Sequence, residues 1–579
     1  MKVSQPLPKS DTEKCMDINT TSIISKIIIS HQPPRSEPVP TKKLLEQPDV
    51  LPLLEPEVRP VTLEVPVPKI ATRPVVQKSP LPFEEVPGPS VLKLWEKYWK
   101  YVPLLGTQVF SSLLINRFTQ GQLKWNRNVT PLRFLFNQYG CVVRINGPLA
   151  NDIVMIHRPE HIAEVFREEG NTPIRSSIDI LQEYRLNHRK YKFGGPFSLQ
   201  SSEWMELRKK VEAPFNEINS TFFGKVDMVC DELINRIRKI RSRQDEVPSN
   251  FHSDMMRWGM ECFFSVVFNK HIGFLEPTGL NSTSDATRII DAISTAHTYM
   301  SRCETGFQVW RFFETPFAKK LFTACDTLDG VIGKYIRHTQ TKVQSGPAFE
   351  KMYLNSEGAS PLLEKLLLIE RIHPDDLSTM LLDMMLLGVQ ATVNCQAFLL
   401  YFLAKNPRAQ RKLYDEIQAA SFDSDTLTEQ SLKHMPYLKA CLHESLRLRP
   451  AFPYITRLLP NTITLHGYTI PKGTFVIMAN QMTSQREENF EDPDKFRPER
   501  WLQENVDEVE PNQKYSFLPF GHGVRSCLGK NMARMQMMLL TAKLIRQYKI
   551  EYDYADMKSR YWMVNVPSKP LRFRFVDRD

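Results

Sequence analysis

The sequence predicts a mainly α-helical fold with small β-sheets, an α+β arrangement in which one large domain follows a proline-rich leader. Three observations carry this. The first ninety residues hold 17 of the 42 prolines, in runs such as Gln32-Pro33-Pro34 and Val65-Pro66-Val67-Pro68; proline fixes φ, removes an amide donor and favours extended chain over packed core. Beyond them helical patterning dominates and the strand-like pieces are short. The longest apolar stretch, His373 to Ala404, opens with a helix start: Pro374 in the first turn, then Asp375 and Asp376 at the positive end of the dipole. With 42% hydrophobic and 10% aromatic residues, the 579-residue chain can bury a large core. That excludes a wholly disordered chain, a collagen-like fibre and a disulfide-stapled miniprotein.

In chain order, residues 1–90 read as the leader, ending near Pro87-Gly88-Pro89, and residues 91–579 as the globular domain. The leader shows no signal peptide or membrane anchor: its apolar cluster, Ile23 to Ile29, is short and carries Lys26. Asp11, Glu13 and Asp17 offset Lys2, Lys9 and Lys14, so the leader by itself is weak evidence for targeting. Tyr139 to Ile145 and Asp152 to Ile156 read as two strands around the Asn146-Gly147 turn. Pro159 opens a helix running through Phe166, and strand-like pieces return near Thr462 to Ile470. The long apolar helix could span a membrane by length, but Asp383, Gln390, Thr392, Asn394 and Gln396 interrupt its middle. Polar groups there are expensive in lipid, so a buried central helix fits better.

Seventy-five Lys and Arg against 65 Asp and Glu give a net charge of +10. This favours an acidic partner. No recognised nucleic-acid-binding module accompanies the charge. Nine cysteines are scattered without a CxxC pair, which suggests reduced thiols in an intracellular compartment. Dinucleotide and P-loop readings fail as well. Gly521-His522-Gly523 has Ser526 where a third glycine belongs, and Gly529-Lys530 continues with Asn531.

The most informative segment is Phe520-Gly521-His522-Gly523-Val524-Arg525-Ser526-Cys527-Leu528-Gly529. Two glycines make a turn, and Cys527 is expected to open a helix through Ala533, Met537 and Leu540. A thiol at a helix N-terminus beside Arg525 favours thiolate, the form that ligates metal. A lone cysteine in a turn is ordinarily inert and buried; the complete pattern is not ordinary.

Phe520, Gly523, Arg525, Cys527 and Gly529 match FxxGxRxCxG, the haem-binding signature of the cytochrome P-450 family, and the chain resembles that family over roughly residues 85–579. Glu444-Ser445-Leu446-Arg447 is similar to its ExxR, Phe496-Arg497-Pro498-Glu499-Arg500-Trp501 to its FxPERF/W, and Trp204 with Arg208 to its WxxxR. Read from spacing alone, Glu444 and Arg447 at i,i+3 could be an ordinary surface pair, and Trp204 and Arg208 at i,i+4 a cation–π pair. The resemblance implies more. Cys527 becomes the axial thiolate of haem b (iron protoporphyrin IX), and Trp204, Arg208, Arg457 and Arg525 reach the haem propionates. Glu444, Arg447 and Arg500 form a buried structural triad. The implied activity is a monooxygenase that inserts one oxygen atom from O2 into a lipophilic small molecule.

One segment departs from the family. Its central helix usually reads [AG]Gx[DE]T[TS], where acid and alcohol deliver protons. Here the matching residues are Leu387-Gly388-Val389-Gln390-Ala391-Thr392. Gly388 is kept, Gln390 replaces the acid and Ala391 the alcohol; Thr392 comes one position late, about 100° further around a regular helix. Gly388, Gln390 and Thr392 remain the candidate oxygen-side residues. Losing a positioned proton donor typically costs about 10²–10⁴ in rate. Three explanations stay open: a proton route through substrate or water, a haem-thiolate isomerase or dehydratase that takes no external electrons, or a non-catalytic haem or lipophile binder.

Leu104-Leu105-Gly106-Thr107, Asn126 to Pro131 and Ile174-Arg175-Ser176 resemble the insect mitochondrial branch of the family, and the long leader its family forty-nine. That branch implies electrons from an acidic [2Fe-2S] ferredoxin and its NADPH-dependent reductase, received on a basic face. Lys439 matches one usual position, His443 stands where a second lysine is usual, and Lys433, Lys530 and Arg534 add charge. It further implies the matrix side of the inner mitochondrial membrane, with peripheral membrane contact and no nucleic-acid partner. The substrate is not readable from the segments near residues 170–200 and 270–330.

Overall fold

The computed structural model describes residues 79–88, 131–145, 152–216, 218–276, 284–305, 308–345, 361–369, 372–420, 427–502 and 513–578. All of them belong to the second of two units, Lys78–Asp579. The longer helices described are α1 (Pro131–Tyr139), α2 (Pro159–Arg167), α3 (Ser201–Asn216), α4 (Ile218–Ile240), α5 (Phe251–Val267) and α6 (Asp285–Thr305). They continue with α7 (Pro316–Ser345), α8 (Pro374–Lys405), α9 (Pro407–Ala420), α10 (Pro436–Leu448) and α11 (Lys530–Gln547).

The strands are short: β1 (Val142–Ile145), β2 (Ile153–Ile156), β3 (Ile455–Leu458), β4 (Ile463–Leu465), β5 (Tyr468–Ile470), β6 (Phe475–Met478), β7 (Tyr548–Glu551), β8 (Ser559–Trp562), β9 (Val564–Pro567) and β10 (Arg574–Asp577). One sheet runs β1-β2-β6-β3, with β2 and β6 parallel and the other pairs antiparallel. The rest pair as β4-β5, β7-β10 and β8-β9. The expected strands near residues 142, 153 and 463–470 are present; β3 and β6, which complete the main sheet, left no alternation strong enough to read.

A small core forms where α2 lays Ile162, Val165 and Phe166 against Val154, Ile156, Val476 and Met478 of the sheet. Pro159 fits the first turn of α2 because its missing amide has no intrahelical partner to lose. Val86 is wholly buried in the same core. Around it Leu81 N donates to Gly467 O at 2.8 Å, Thr469 N to Leu81 O at 2.9 Å, and Arg144 N to Pro87 O at 2.9 Å. The end of the proline-rich stretch is therefore built into the domain from residue 79 onward, earlier than the expected boundary near residue 90. Residues 1–78 lie outside the described residues, as do Leu104 to Thr107, Asn126 to Thr130 and the Asn146-Gly147 turn.

The large core is organised around α8. His373 caps it by accepting from Asp375 N at 3.2 Å, and Pro374 occupies its first turn. Helix α8 is long and apolar enough to cross a membrane, yet 78% of its most apolar window is buried in protein. It is the central core helix. Gly259 of α5 lets it approach: a Cβ there would stand 2.6 Å from Val393 and 2.8 Å from Val389. Near its start, Asp383 pairs with Arg185 at 2.6 Å, the two side chains only 4% and 0% exposed. Gly194 O accepts from Arg185 Nη1 at 2.7 Å and Asp383 Oδ2 from Phe197 N at 3.3 Å, so most of this buried charge is hydrogen-bonded. The pair ties the segment before α3 to the central helix.

Candidate active site

The loop ahead of α11 is shaped by two glycines in the left-handed region, Gly521 at φ 74° and Gly523 at φ 65°. At Gly523 a side chain would also meet Glu169, whose Oε1 is 2.7 Å from the Cβ position. Cys527 N donates to Phe520 O at 2.9 Å and Ser526 N to Gly523 O at 3.0 Å, closing the loop on itself. Gly529 caps α11, which begins at Lys530, so Cys527 lies three residues ahead of the helix rather than at its start. The thiol therefore does not gain the full first-turn dipole that the sequence suggests.

Cys527 is exposed, whereas the other seven described cysteines are buried. Burial nonetheless pushes its thiol up, against the Gly529 amide and the charges of Arg208, Arg175 and Lys530, all of which pull it down. A thiol that is accessible yet ringed by protein faces an internal hollow. The expected bias towards free thiolate is thus reversed by desolvation, and a cation at the sulfur is what would restore it.

Four arginines surround this hollow. Arg525 stacks over Trp204 at 3.7 Å, donates through Nε to Pro173 O at 3.0 Å and through Nη2 to Leu199 O and Gln200 Oε1 at 3.1 and 3.0 Å. Its Nη1 and the Nε of Arg175 are buried without a partner among the described residues. Burial, with Arg175 and Arg457 close by, pushes Arg525 down to about 8, and burial with Arg457 pushes Arg175 down to about 10. Guanidinium holds its proton in proteins, so these values describe unrelieved positive charge. Arg457, on β3, pairs with the buried carboxylate of Glu169 and donates to Thr456 O at 2.8 Å. Arg208, on α3, donates to Ser526 O at 2.6 Å and Glu212 Oε1 at 2.9 Å. Of the four arginines, Arg525 and Arg175 keep free donors, whereas Arg208 and Arg457 are already engaged. Glu169 and Gln200 carried no motif that would have singled them out, and Arg175 was visible only inside Ile174-Arg175-Ser176, with no role at this site attached to it.

Beneath the loop, Glu444 of α10 is fully buried. It takes Arg447 bidentately at 2.8 and 2.9 Å, Arg500 Nε at 3.1 Å, Trp501 Nε1 at 2.9 Å and Arg497 N at 3.0 Å. Arg447 also donates to Ser484 O and Pro493 O, both at 2.8 Å. One carboxylate thereby gathers α10 and the 484–501 segment. Trp501 was visible in the sequence as a motif letter, but its bond to Glu444 was not. Beside this network Lys439, Lys530 and Arg534 all act on His443, and with burial as the first cause they push its imidazole down to about 4. Lys433 pairs with Glu429 at 2.9 Å, and its O accepts from Lys439 Nζ at 2.5 Å.

On α8, residues Met384–Val389 form a π-helical stretch. A π turn holds one residue more than an α turn, so the residues after it are rotated back by about 100°. Thr392 then takes the azimuth that residue 391 would have in an uninterrupted helix. It shares a face with Gly388, and its Oγ1 donates to Gly388 O at 3.0 Å. Gly388 is exposed inside an otherwise buried helix, with nothing within 4 Å of its Cβ position. Ala391 packs against the core instead. Gln390 is 6% exposed, and its Oε1 has no partner among the described residues. Behind it Asn394 Nδ2 donates to Gln390 O at 2.9 Å and Asn394 Oδ1 faces His252 Nε2 at 2.9 Å, while His297 Nε2 donates to Leu386 O at 2.6 Å. His252 and His297 lack a sequence signal because no motif includes them, and Asn394 shows in the sequence only as a polar interruption of the apolar helix.

The cytochrome P450 family model matches residues 112–575. The chain belongs to the cytochrome P450 family. Among similar proteins, a probable cytochrome P450 12a5, mitochondrial, from Drosophila melanogaster is 30% identical over 86% of this chain and 91% of its own length. A probable cytochrome P450 49a1 from the same fly is 29% identical over 86% and 83%. The 1,25-dihydroxyvitamin D(3) 24-hydroxylase, mitochondrial, of Mus musculus is 29% identical over 82% and 88%. The fold is that of a solved zebrafish cytochrome P450, TM-score 0.62 at 20% identity over 78% of this chain and all of that one. The chain is thus a mitochondrial-type P450 monooxygenase, and its cofactor is haem with a cysteine thiolate on the iron.

The residues present fit that cofactor. The P450 hollow offers an accessible thiolate precursor in Cys527, an open helix face at Gly388, and unpartnered donors on Arg525 and Arg175 suited to carboxylates.

Proposed function

We propose that this P450 receives electrons from an acidic [2Fe-2S] ferredoxin served by an NADPH-dependent reductase. We infer that it inserts one oxygen atom into a lipophilic small molecule at the matrix side of the inner mitochondrial membrane. The observation that carries the reading is the group Lys439, Lys530 and Arg534 gathered about His443, with Lys530 also acting on Cys527. Three half-buried cations, with Arg534 lying 5.3 Å from the Phe520 ring of the ligand loop, suit an acidic electron donor, whose approach would be electrostatically steered. Membrane contact is supported by Val309, Phe312, Phe313 and Phe317, which stand 42%, 76%, 63% and 48% exposed beside Arg311, Lys319 and Lys320. Apolar side chains interleaved with cations suit an anionic lipid surface.

Haem, once bound, would supply dioxygen activation with a thiolate ligand from the protein. Cys527 gives the thiolate, held by its bond to Phe520 O and the Gly529 amide. Arg525 and Arg175 would take the propionates; Trp204 stacks on Arg525 and so aims it, and Arg208 and Arg457 fix the loops on either side. Glu444 with Arg447 and Arg500 holds the segment that supports the loop. On the distal face the Thr392 hydroxyl, resting on Gly388 O, is the group able to pass a proton towards the hollow, in place of the alcohol missing at Ala391. Gln390 cannot act as an acid.

The test is reduction of the purified haem protein under carbon monoxide by a mitochondrial-type ferredoxin and its reductase, monitored by the thiolate–carbonyl Soret band. The band should grow, and faster at low salt. If it forms only with dithionite, the electron donor is wrong, and a reaction without external electrons becomes the better reading.

A further inference from the structure

Away from the haem site, three elements bring ligating side chains together. Cys141 precedes β1, His161 lies in the first turn of α2, and His466 sits in the β4–β5 turn. One donor atom from each lies within 4.8 Å of the other two. The two imidazoles meet edge to face at 5.4 Å. His161 is 7% exposed, and its Nδ1 is buried without a partner among the described residues, a cost that a buried ring nitrogen ordinarily avoids. His466 is exposed, so the cluster is open to solvent on one side.

We propose that Cys141, His161 and His466 form a binding site for a borderline divalent cation of the zinc class, with water in the fourth position. One sulfur and two imidazole nitrogens are a donor set that such ions prefer over calcium or magnesium, which take oxygen. Zinc with ligand bonds of about 2.0–2.3 Å sets its donors about 3.4–3.6 Å apart. Donors already within 4.8 Å reach that spacing by side-chain rotation of about 1 Å. On binding, the Cys141 S–H bond breaks and its proton leaves to solvent as the S–metal bond forms; both imidazoles bind neutral, and no electrons move. The charge of Arg158 acts on both Cys141 and His161; it pairs with Glu160 at 3.6 Å, which offsets its repulsion.

A second His and Glu cluster, Glu232, Glu261 and His271, has a different explanation. Glu261 spends its two oxygens on the amides of Ile272 and Phe274 at 2.8 and 2.6 Å, which makes it a loop clasp. The proposed site has a mechanical consequence. It would pin the start of α2 to the sheet and to the hairpin, and the chain leaving α2 carries Glu169 to Arg457 beside the haem loop.

The full-length haem-loaded protein, stripped with chelator and then given zinc alone, should retain one zinc per haem iron after desalting. Zinc-edge X-ray absorption should show one sulfur and two nitrogen ligands. C141S and H466N should each weaken binding by at least about a hundredfold, the upper end of what losing even an outer-shell partner costs. Asparagine keeps the turn at position 466, where φ is 50°, so that variant separates ligand loss from misfolding. The thiolate–carbonyl band of Cys527 should be unchanged in both. Equal zinc retention in wild type and variants, a zinc shell without sulfur, or loss of zinc in E232Q instead would each overturn the site.

Discussion

The two faces of the haem hollow are built to different standards of redundancy. On the thiolate side a single carboxylate, Glu444, satisfies five donors from four residues, and Arg447 is held again by Ser484 O and Pro493 O. On the central-helix side Gln390 has an unpartnered oxygen, and the distal hydroxyl is one threonine hydrogen-bonded to its own helix. In the first region the groups satisfy one another, so removing one strands the rest. In the second, a π turn rotates Thr392 onto the face that carries Gly388. Positions that only hold a fold and positions that move a proton are thus constrained by different physics, packing in one case and azimuth in the other.

Removing the ligand is the strongest way to break the comparison. Cys527→Ala should abolish the thiolate–carbonyl band altogether, and a band that persists would sink the assignment of the axial ligand. Next, Glu444→Ala should strand Arg447 and Arg500 as buried charges without a carboxylate, at about 3–5 kcal/mol. Thermal unfolding with haem content as a second readout measures it; a shift no larger than that of a surface pair would mean the network is not structural. On the other face, Thr392→Ala should leave stability nearly unchanged and cut product formed per reductant by about tenfold to a hundredfold, the lower part of the range for a positioned proton donor. Thr392→Ser should restore it. Equal coupling in all three proteins would move the proton route elsewhere.

The smallest effect is on pH dependence. Burial holds His443 on the thiolate side and His297 on the distal side at about 4, below the ordinary 6.5. A depressed imidazole contributes stability that is present above pH 6.5 and is lost as pH falls through about 4. His443→Gln and His297→Gln should each flatten part of that acid limb in a series of melting temperatures. A steeper limb in either variant would mean that the fold favours the charged imidazole instead.

How much of the molecule is legible in its sequence depends on locality. The haem-ligand loop is ten contiguous residues, and α8 announces itself through His373, Pro374 and two aspartates, so both can be read directly. Arg175 reaches the site only because the segment before α3 folds back, and Glu169 only because α2 ends beside β3; neither has a sequence neighbour that shares its task. A regular helix misplaces Thr392, since a π turn leaves the hydrophobic pattern intact while changing its phase. The Cys527 thiol is misread for a similar reason. The approach of a helix is visible in the sequence, but the three-residue gap before it and the surrounding protein are not.

The short arm from residue 79 to 88 sets a limit on trimming. Leu81 completes the edge of the β4–β5 hairpin and Pro87 accepts the amide of Arg144, whose guanidinium lies 4.1 Å from the Phe83 ring. A protease that clipped the chain upstream of residue 79 would leave these contacts whole. One that cut between Leu81 and Pro87 would expose a hairpin edge and uncover the pocket that Val86 fills, so the earliest safe start for a shortened recombinant protein is defined by those bonds rather than by where the prolines end.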